Sequence, residues 1–567
     1  MTSTPESRLL QLYDRISDAP DAIPRLRRFV LDLAVRGKLV EQDPNDEPAE
    51  ELLKRIAAEK ARLVNAGKIR KPKSTASIDT SELPISVPSC WAWLRLRDIG
   101  TLSGGMTPSK SRPDYWDGDV VWLSPKDIKA DEVSDSELKI TTKGLNETRL
   151  ELFPEGSLFI VARSGILKRT FPVTINRVPA ASNQDLKVMV PYLKGQERYL
   201  QIMFRGMTDF LLTQLVKQGT TVQSLKYAEF EVQPFPLPPL AEQRRIVAKV
   251  DELMTLLDRL EAARTARKTT RDRLTTVSLT RLTAPEADPA DFPTNARFAL
   301  DALPALTKRP NQIKTLRQTI LNLAVRGKLV EQDPTDQPAS ELLKRIACDK
   351  KGRAVSARDR RAGAIKSLDR SELSFDVPAS WDWVTFGDIT ISRDGERVPV
   401  SKAERENRAK IYDYYGASGV IDKIDGYLFD KPLLLIGEDG ANLINRSTPI
   451  AFIARGKYWV NNHAHVLDGL SEQFLRYLEL FINATDLKPF TTGTAQPKMN
   501  QAKMNSIPVA LPPLPEQHRI VAKVDALMAL CDRLEATLTT VDTSRARLLE
   551  ALLHEALRSS SSNRKAA

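Results

Sequence analysis

Residues 31–57, LDLAVRGKLVEQDPNDEPAEELLKRIA, return at 321–347 as LNLAVRGKLVEQDPTDQPASELLKRIA, identical at 23 of 27 positions. A second stretch, residues 237–262, LPPLAEQRRIVAKVDELMTLLDRLEA, returns at 511–536 as LPPLPEQHRIVAKVDALMALCDRLEA, identical at 21 of 26. The first pair is offset by 290 residues and the second by 274. Self-similarity of this degree is an internal duplication. A shorter pair, SELPISVPSCWAW from Ser81 and SELSFDVPASWDW from Ser371, closes the first block. The order is A, X, B, A′, Y, B′, where the inserts X (94–236) and Y (384–510) share little sequence. Two near-identical frames carry two different inserts. Such a chain can form a pseudo-twofold object and offer one surface twice. Inserts that diverge on a fixed frame suit two readers of different ligands; the plain alternative is duplication with drift.

The frames read as helices. In block A the apolar spacing predicts helices over 26–40 and 49–59, repeated at 316–330 and 339–349, with Gly37 and Gly327 ahead of Pro44 and Pro334 as stop and restart signals. In block B′ no Gly or Pro interrupts 516–557, and Ile520, Val524, Leu527, Cys531, Leu534 and Leu538 begin a 4,3 seam. The matching seam in B is Ile246, Val250, Leu253, Leu257 and Leu260. At 1.5 Å per residue each helix is about 60 Å long. The simplest arrangement packs the two seams together, antiparallel, as a spacer between X and Y; the plain alternative is two ordinary core helices. The domain expectation is therefore helical block A at 1–93, X at 94–236, long helix B at 237–310, A′ at 311–383, Y at 384–510 and long helix B′ at 511–567.

Composition narrows the class. The 567 residues exceed one small module, and 41% hydrophobic with 28% charged residues is ordinary for globular chains. Lys and Arg number 84 against 73 Asp and Glu, a net charge of +11 that favours a polyanionic partner. The three cysteines, Cys90, Cys348 and Cys531, lie too far apart for a disulfide framework or a CxxC knuckle, which suits a reducing cytoplasm. There is no apolar run of about 18 residues, and MTSTPESRLL lacks a signal-peptide pattern, so a cytoplasmic protein is expected.

Both inserts show short strand-like runs, then a helical stripe, then a Gly-Thr loop, KQGTTVQSL in X and TTGTAQPKM in Y. The strand expectations are 120–123, 157–163, 171–175 and 186–191 in X, and 431–436, 449–454 and 458–467 in Y. The helical stripes are 199–215 and 474–487. Reading nucleic acid needs cations for phosphates and amide or hydroxyl groups for base edges. X supplies Ser109, Lys110, Arg112, Lys126, Arg163, Ser164, Lys168, Arg169, Asn183, Gln184, Lys217, Gln218, Thr220 and Thr221 in loops. Y supplies Arg393, Arg397, Lys402, Tyr414, Tyr415, Ser418, Asn442, Asn445, Arg446, Asn461, Asn462, His463, His465, Gln496 and Lys498. Basic stretches ahead of the inserts, Lys60, Arg62, Lys68, Arg70, Lys71, Lys73 and Lys350, Lys351, Arg353, Arg358, Arg360, Arg361, Lys366, are further phosphate candidates.

Catalytic signatures are absent where one looks: no NPP[FY] tetrapeptide for an amino base and no GxxxxGK[ST] loop for ATP. Asp114, Glu137 and Lys139 form a loose nuclease-like pattern, and His463 and His465, alternate on a strand, could share a face as metal ligands. A stand-alone nuclease and a protein-interaction scaffold are the rival classes.

The LPPLxEQxRIVAKVDxLMxLxDRLEA blocks, GGMTPSKSRPDYWDGDVVWLSPKDI in X, and LLLIGEDGANL with WVNNHAHVL in Y resemble the DNA-specificity subunit of type I restriction-modification enzymes. The likeness covers nearly the whole chain. It implies an α+β architecture, with two mixed α/β target-recognition domains held apart by long antiparallel coiled-coil helices in a pseudo-twofold repeat. X would read one half and Y the other half of a bipartite, asymmetric double-stranded DNA site, with B and B′ setting the gap. The resemblance further implies a chain that is not itself an enzyme and holds no cofactor. Its partners would be two modification subunits that methylate adenine with S-adenosylmethionine and two restriction subunits that use ATP and Mg²⁺, in defence against phage DNA.

Overall fold

The computed structural model describes residues 18–69, 78–79, 83–219, 222–282, 292–307, 309–353, 365, 367–369, 373, 375–493 and 496–562. The chain divides into two compact units, Met1–Thr265 with Asp542–Ala567, and Ala266–Val541. Among the described residues no helix is long and apolar enough to cross a membrane.

In the first unit helices α1 (Ala22–Val35) and α2 (Ala49–Asn65) precede the first insert. Its strands are β1 (Ala92–Arg95), β2 (Gly100–Gly104), β3 (Trp116–Leu123), β4 (Glu132–Val133), β5 (Leu138–Ile140), β6 (Leu158–Val161), β7 (Arg163–Ser164), β8 (Val173–Asn176), β9 (Ala180–Ser182) and β10 (Leu186–Pro191). Helices α3 (Glu197–Gly206) and α4 (Thr208–Gln214) follow, then β11 (Val216–Lys217), β12 (Gln223–Leu225) and β13 (Pro234–Leu237). A five-stranded sheet runs β2-β10-β6-β8-β4 and a three-stranded one β5-β3-β9, with β3 parallel to β9. β6 is buried at every position, so its sequence LFIV is a continuous apolar run with no alternation. Helix α3 packs its apolar stripe on β8 and on α1. The stripe expected over 199–215 breaks at Gly206, where a Cβ would meet Val35 Cγ1 at 2.5 Å and the Leu31 carbonyl oxygen at 2.7 Å.

Long helix α5 (Leu240–Arg281) continues from the first unit into the second, where α6 (Phe292–Leu306), α7 (Pro310–Val325) and α8 (Ala339–Gly352) form the repeated frame. The second insert contains β14 (Asp382–Thr385), β15 (Ile391–Ser392), β16 (Tyr412–Gly416), β17 (Gly419–Ile424), β18 (Phe429–Asp430), β19 (Leu433–Gly437), β20 (Ala451–Ala454), β21 (Lys457–Val460) and β22 (Ala464–Asp468). Helix α9 (Glu472–Ala484), β23 (Pro508–Leu511) and the long α10 (Leu514–Ser562) complete it. Its sheets run β15-β22-β19-β20 and β17-β16-β21-β18, with β16 parallel to β21. The core β2-β10-β6-β8 and the parallel pair β3/β9 of the first insert thus recur with different sequences. The expected single strand at 458–467 is two, because Asn461–His463 turn the chain from one sheet into the other.

Each insert begins and ends on one antiparallel pair, Ala92 opposite Leu237 and Asp382 opposite Leu511. The chain leaves and re-enters the frame at one place, which lets inserts of different length sit on the same frame. The joint below that pair is built from repeated residues. Trp91 donates from Nε1 to Glu242 Oε2 at 2.9 Å, Gln42 donates to Glu242 Oε1 at 2.7 Å, and Arg245 bonds Asp46 at 2.5 Å. The second copy has Trp381 on Glu516 at 2.9 Å, Gln332 on Glu516 at 2.5 Å and Arg519 on Asp336 at 2.6 Å. Burial pushes the Glu242 and Glu516 carboxyls up, against the donors that hold them. These bonds join block A to block B, the physical reason that the two blocks recur together.

Three expectations need correction. Helices α1 and α7 stop at Val35 and Val325, five residues before the expected ends, because Gly37 and Gly327 take φ of +64° and +69°. Helix α6 lies inside the stretch read as one long helix B. The apolar stripes read as facing each other are used differently: Ile246, Val250, Leu253, Leu257 and Leu260 pack into the core of the first unit. Ile520, Val524, Leu527, Cys531, Leu534 and Leu538 pack into that of the second. Further along α10, Leu549, Leu552 and Leu553 pack on Ala19 and Ala22 of the first unit. Leu279 and Leu282 at the end of α5 pack on Ala299 of the second.

A Cβ on Gly37 would lie 2.5 Å from Pro88 Cδ, and one on Gly327 2.5 Å from Pro378 Cγ. Gly327→Ala combines left-handed backbone with a clash, and is expected to lower stability by about 2 kcal/mol in chemical denaturation. A loss below about 0.5 kcal/mol would show that the joint is not tightly packed.

Candidate nucleic-acid interface

The same local device organises the candidate loops in both inserts. After β9, Asn183 accepts the Asp185 N–H on Oδ1 at 3.1 Å and its own N–H donates to the Leu123 carbonyl at the end of β3. After β21, Asn461 accepts the His463 N–H at 2.8 Å and its own N–H donates to the Tyr415 carbonyl in β16. Both asparagines are 6% exposed. Each is therefore a buried turn-former that presents the residues after it. Those residues, Gln184 in one insert and Asn462 and His463 in the other, are exposed.

In the first insert the turn gathers three more loops. Thr107 donates to Gln184 Oε1 at 2.7 Å, and the Asp185 carbonyl accepts from the N–H groups of Ala162 and Arg163. Gln223 of β12 pairs with Ser164 of β7, which brings the Lys217–Gly219 loop alongside. Arg163, Lys168, Lys217 and Gln218 are exposed, and none of these three cations has an ion pair among the described residues. Ser164 caps the short turn at Gly165–Lys168, and Arg169 and Ile166 line a cleft with Arg28, Lys129 and Arg205. Lys110 is exposed, and Ser109 bonds Ser111. Thr220 and Thr221 lie outside the described residues.

Arg112 is less available than the sequence suggests. It forks onto Asp114 at 2.7 and 2.9 Å and stacks on Tyr115. Hydrogen bonds from Arg112 and Lys143 hold the Asp114 carboxyl well below the usual range. The nuclease-like pattern disperses accordingly: Glu137 lies 3.9 Å from Lys126, and Lys139 pairs with Asp135.

In the second insert the loops at 393–398, 437–446, 461–465, 491–493 and 496–499 meet. The Glu438 N–H donates to the His463 carbonyl, the Gly440 N–H to that of Pro497, and the backbones of Asp439 and Lys498 pair in an isolated antiparallel bridge. Behind the surface is a buried network. His465, 1% exposed, shares Nδ1 with Asp394 at 2.6 Å and Nε2 with the Met499 carbonyl at 2.9 Å. Arg397 bonds Glu438 at 3.0 Å and the Ala464 carbonyl at 2.7 Å. Lys498 reaches Glu438 from the surface at 3.3 Å, and His463 bonds Asp439 at 2.7 Å. The two histidines thus face different partners, not one shared site. Among the described residues no group of three His, Cys, Asp or Glu is arranged to hold a metal ion.

Several candidates turn out to be internal supports. Tyr414 is buried and bonds the Val400 N–H. Tyr415 stacks on Phe452, and Arg393 pairs with Glu396 and Asp468. Arg446 is half-buried and donates to the Thr485 carbonyl, and burial lowers its pKa. Asn442 closes its own loop onto Thr448. Lys402, Ser418, Asn445, Asn462 and Gln496 remain exposed on the surface. The carboxylates Asp394, Glu438 and Asp439 are the supports of this surface, and cation and amide chemistry alone carries no signal for them, because they act by holding His465, Arg397 and His463. Of the basic stretches, Lys60 bonds Asp98, Arg62 pairs with Glu59, Lys350 donates to the Gly387 carbonyl and Arg353 pairs with Asp349. Arg70, Lys71, Lys73, Arg358, Arg360, Arg361 and Lys366 lie outside the described residues.

Comparison with known proteins places these loops in context. The family described as the type I restriction modification DNA specificity domain matches residues 88–267 and 378–541. The specificity subunit of type I restriction enzyme EcoEI from Escherichia coli is 28% identical over 573 residues, covering 94% of each chain. That of EcoAI, also from Escherichia coli, is 29% identical over 565 residues with 94% of each covered. A solved chain of a type I R-M system superposes with a TM-score of 0.49 at 16% identity, over 83% of this chain and 99% of that one. The HsdS subunit from Thermoanaerobacter tengcongensis gives 0.41 at 18%, over 84% and 99%.

Proposed function

The chain belongs to the type I restriction-modification DNA-specificity family, and from that premise we propose that it reads a bipartite, asymmetric DNA site, one half with residues 94–236 and the other with 384–510. It is the specificity subunit, non-catalytic by itself, within a restriction-modification complex. The observation that carries the bipartite reading is the recurrence of one strand arrangement and one buried asparagine turn with different exposed residues around them. Equal folds with unequal loops suit two half-sites of unequal sequence.

The repeated frame offers equivalent surfaces on α5 and α10, which supports docking of two copies of a modification subunit, with two restriction subunits completing the assembly. Adenine methylation with S-adenosylmethionine, and ATP- and Mg²⁺-dependent restriction, belong on those partners. The long helices fix the unread gap, so lengthening both together widens it.

Arg163 is the strongest base-edge candidate of the first domain, exposed beside Gln184 and without a carboxylate partner among the described residues. Arg163→Ala is expected to cost about 1–3 kcal/mol of discrimination at one position of one half-site. Competition binding with singly altered duplexes checks this, and an unchanged preference removes Arg163 from the reading set. Lys217→Ala, by contrast, is expected to weaken all duplexes alike and to lower the salt slope by about one.

A further inference from the structure

Each reading surface also places a large apolar side chain in the open beside its asparagine turn. In the second domain β17 is an edge strand, and its pairing with β16 slips between Tyr414 and Tyr415: Tyr414 faces Asp422 and Tyr415 faces Val420. Ile421 is the extra residue, and a bulge of this kind re-aims the side chain it carries. Ile421 is 54% exposed and its neighbour Val420 50%. A side chain at Gly416 would lie 3.0 Å from Ile421 Cδ1 and 3.5 Å from Asn461 Nδ2, so Ile421 reaches across Gly416 toward the turn that presents Asn462 and His463. In the first domain Met106 is 47% exposed between Gly105 and Thr107. A Cβ on Gly105 would lie within 2 Å of the Ser182 carbonyl oxygen, and Thr107 bonds Gln184.

Two adjacent β-branched side chains facing outward on an edge strand invite misassociation unless something covers them. Beside them lie the exposed Asn462 and His463 of the adjoining turn, polar groups that match a base edge next to a phosphate chain. In the major groove the one apolar group on a base edge is the thymine 5-methyl. Resting on the DNA-reading function proposed above, we propose that Ile421 reads a thymine methyl in the second half-site, with Met106 in the same role in the first.

The test uses the full complex and a duplex carrying the methylation motif mapped for this chain. Each thymine is replaced in turn by deoxyuridine, which lacks only the methyl. One replacement in the second half-site weakens wild-type binding about fourfold, the worth of one buried methyl group. Ile421→Ser weakens binding to the natural duplex by a similar factor and no longer responds to that replacement, while Ile421→Leu keeps part of the response. Met106→Ser repeats the pattern in the first half-site only. An Ile421→Ser complex that still loses fourfold at the same position overturns the assignment, as does a wild-type complex insensitive to every replacement in that half-site. A wild-type complex that does not prefer its motif to a scrambled duplex instead overturns the DNA-reading function itself.

Discussion

Trp381→Ala lowers the stability of the second unit by about 3–5 kcal/mol. The indole is fully buried, packs edge-on to Tyr477 and donates its N–H to Glu516. Truncation leaves a cavity where blocks A′ and B′ and the closing pair β14/β23 meet. It also removes a donor from a carboxyl that is 1% exposed and already pushed up by burial. Trp381→Phe fills most of the cavity but not the hydrogen bond, and is expected to lose about 1–3 kcal/mol. Chemical denaturation followed by a probe in the second unit measures both. A Trp381→Ala variant within 1 kcal/mol of the parent would mean that the repeated joint does not hold the insert to its frame.

Arg397→Ala is expected to cost a similar 3–5 kcal/mol, by a different route. Its side chain is 13% exposed and its guanidinium lies against Glu438 and Asp394, whose side chains are 12% and 10% exposed. Removing it leaves two carboxylates facing each other across His465. Lys498, 55% exposed on the same Glu438, contributes little to the fold, and Lys498→Ala changes stability by less than about 0.5 kcal/mol. DNA binding separates them further: Lys498→Ala weakens affinity without unfolding, whereas Arg397→Ala loses binding in step with folded protein. Equal stability losses for the two variants would contradict the buried network.

The duplication made the architecture legible, because two copies of one helical pattern around two unlike segments admit few arrangements. The strand at 186–191 was readable to the residue from its apolar run. Where the reading failed, a local conformation overrode the periodicity: Gly37 and Gly327, legible as stop signals, end their helices at Val35 and Val325 in left-handed backbone although the apolar pattern runs on to Val40 and Val330, and Asn461 breaks a strand that hydropathy leaves whole. The reading set was legible in composition but not in role. Tyr414, Arg393, Arg397, Arg446 and His465 have the right chemistry for DNA, yet each is held inward by a partner distant in sequence. Likewise the stripe on each long helix showed that it packs, but not against what.

Adenine-methylation mapping in cells expressing the complex tests the central claim most directly, comparing the parent chain with one whose residues 384–510 are replaced by the equivalent domain of another specificity subunit. The account predicts a split, asymmetric motif that is absent without the gene. After the exchange one half of that motif changes while the other half and the gap stay fixed. A motif unaltered by the exchange, or methylation that persists unchanged without the gene while the partner subunits are active, would contradict it.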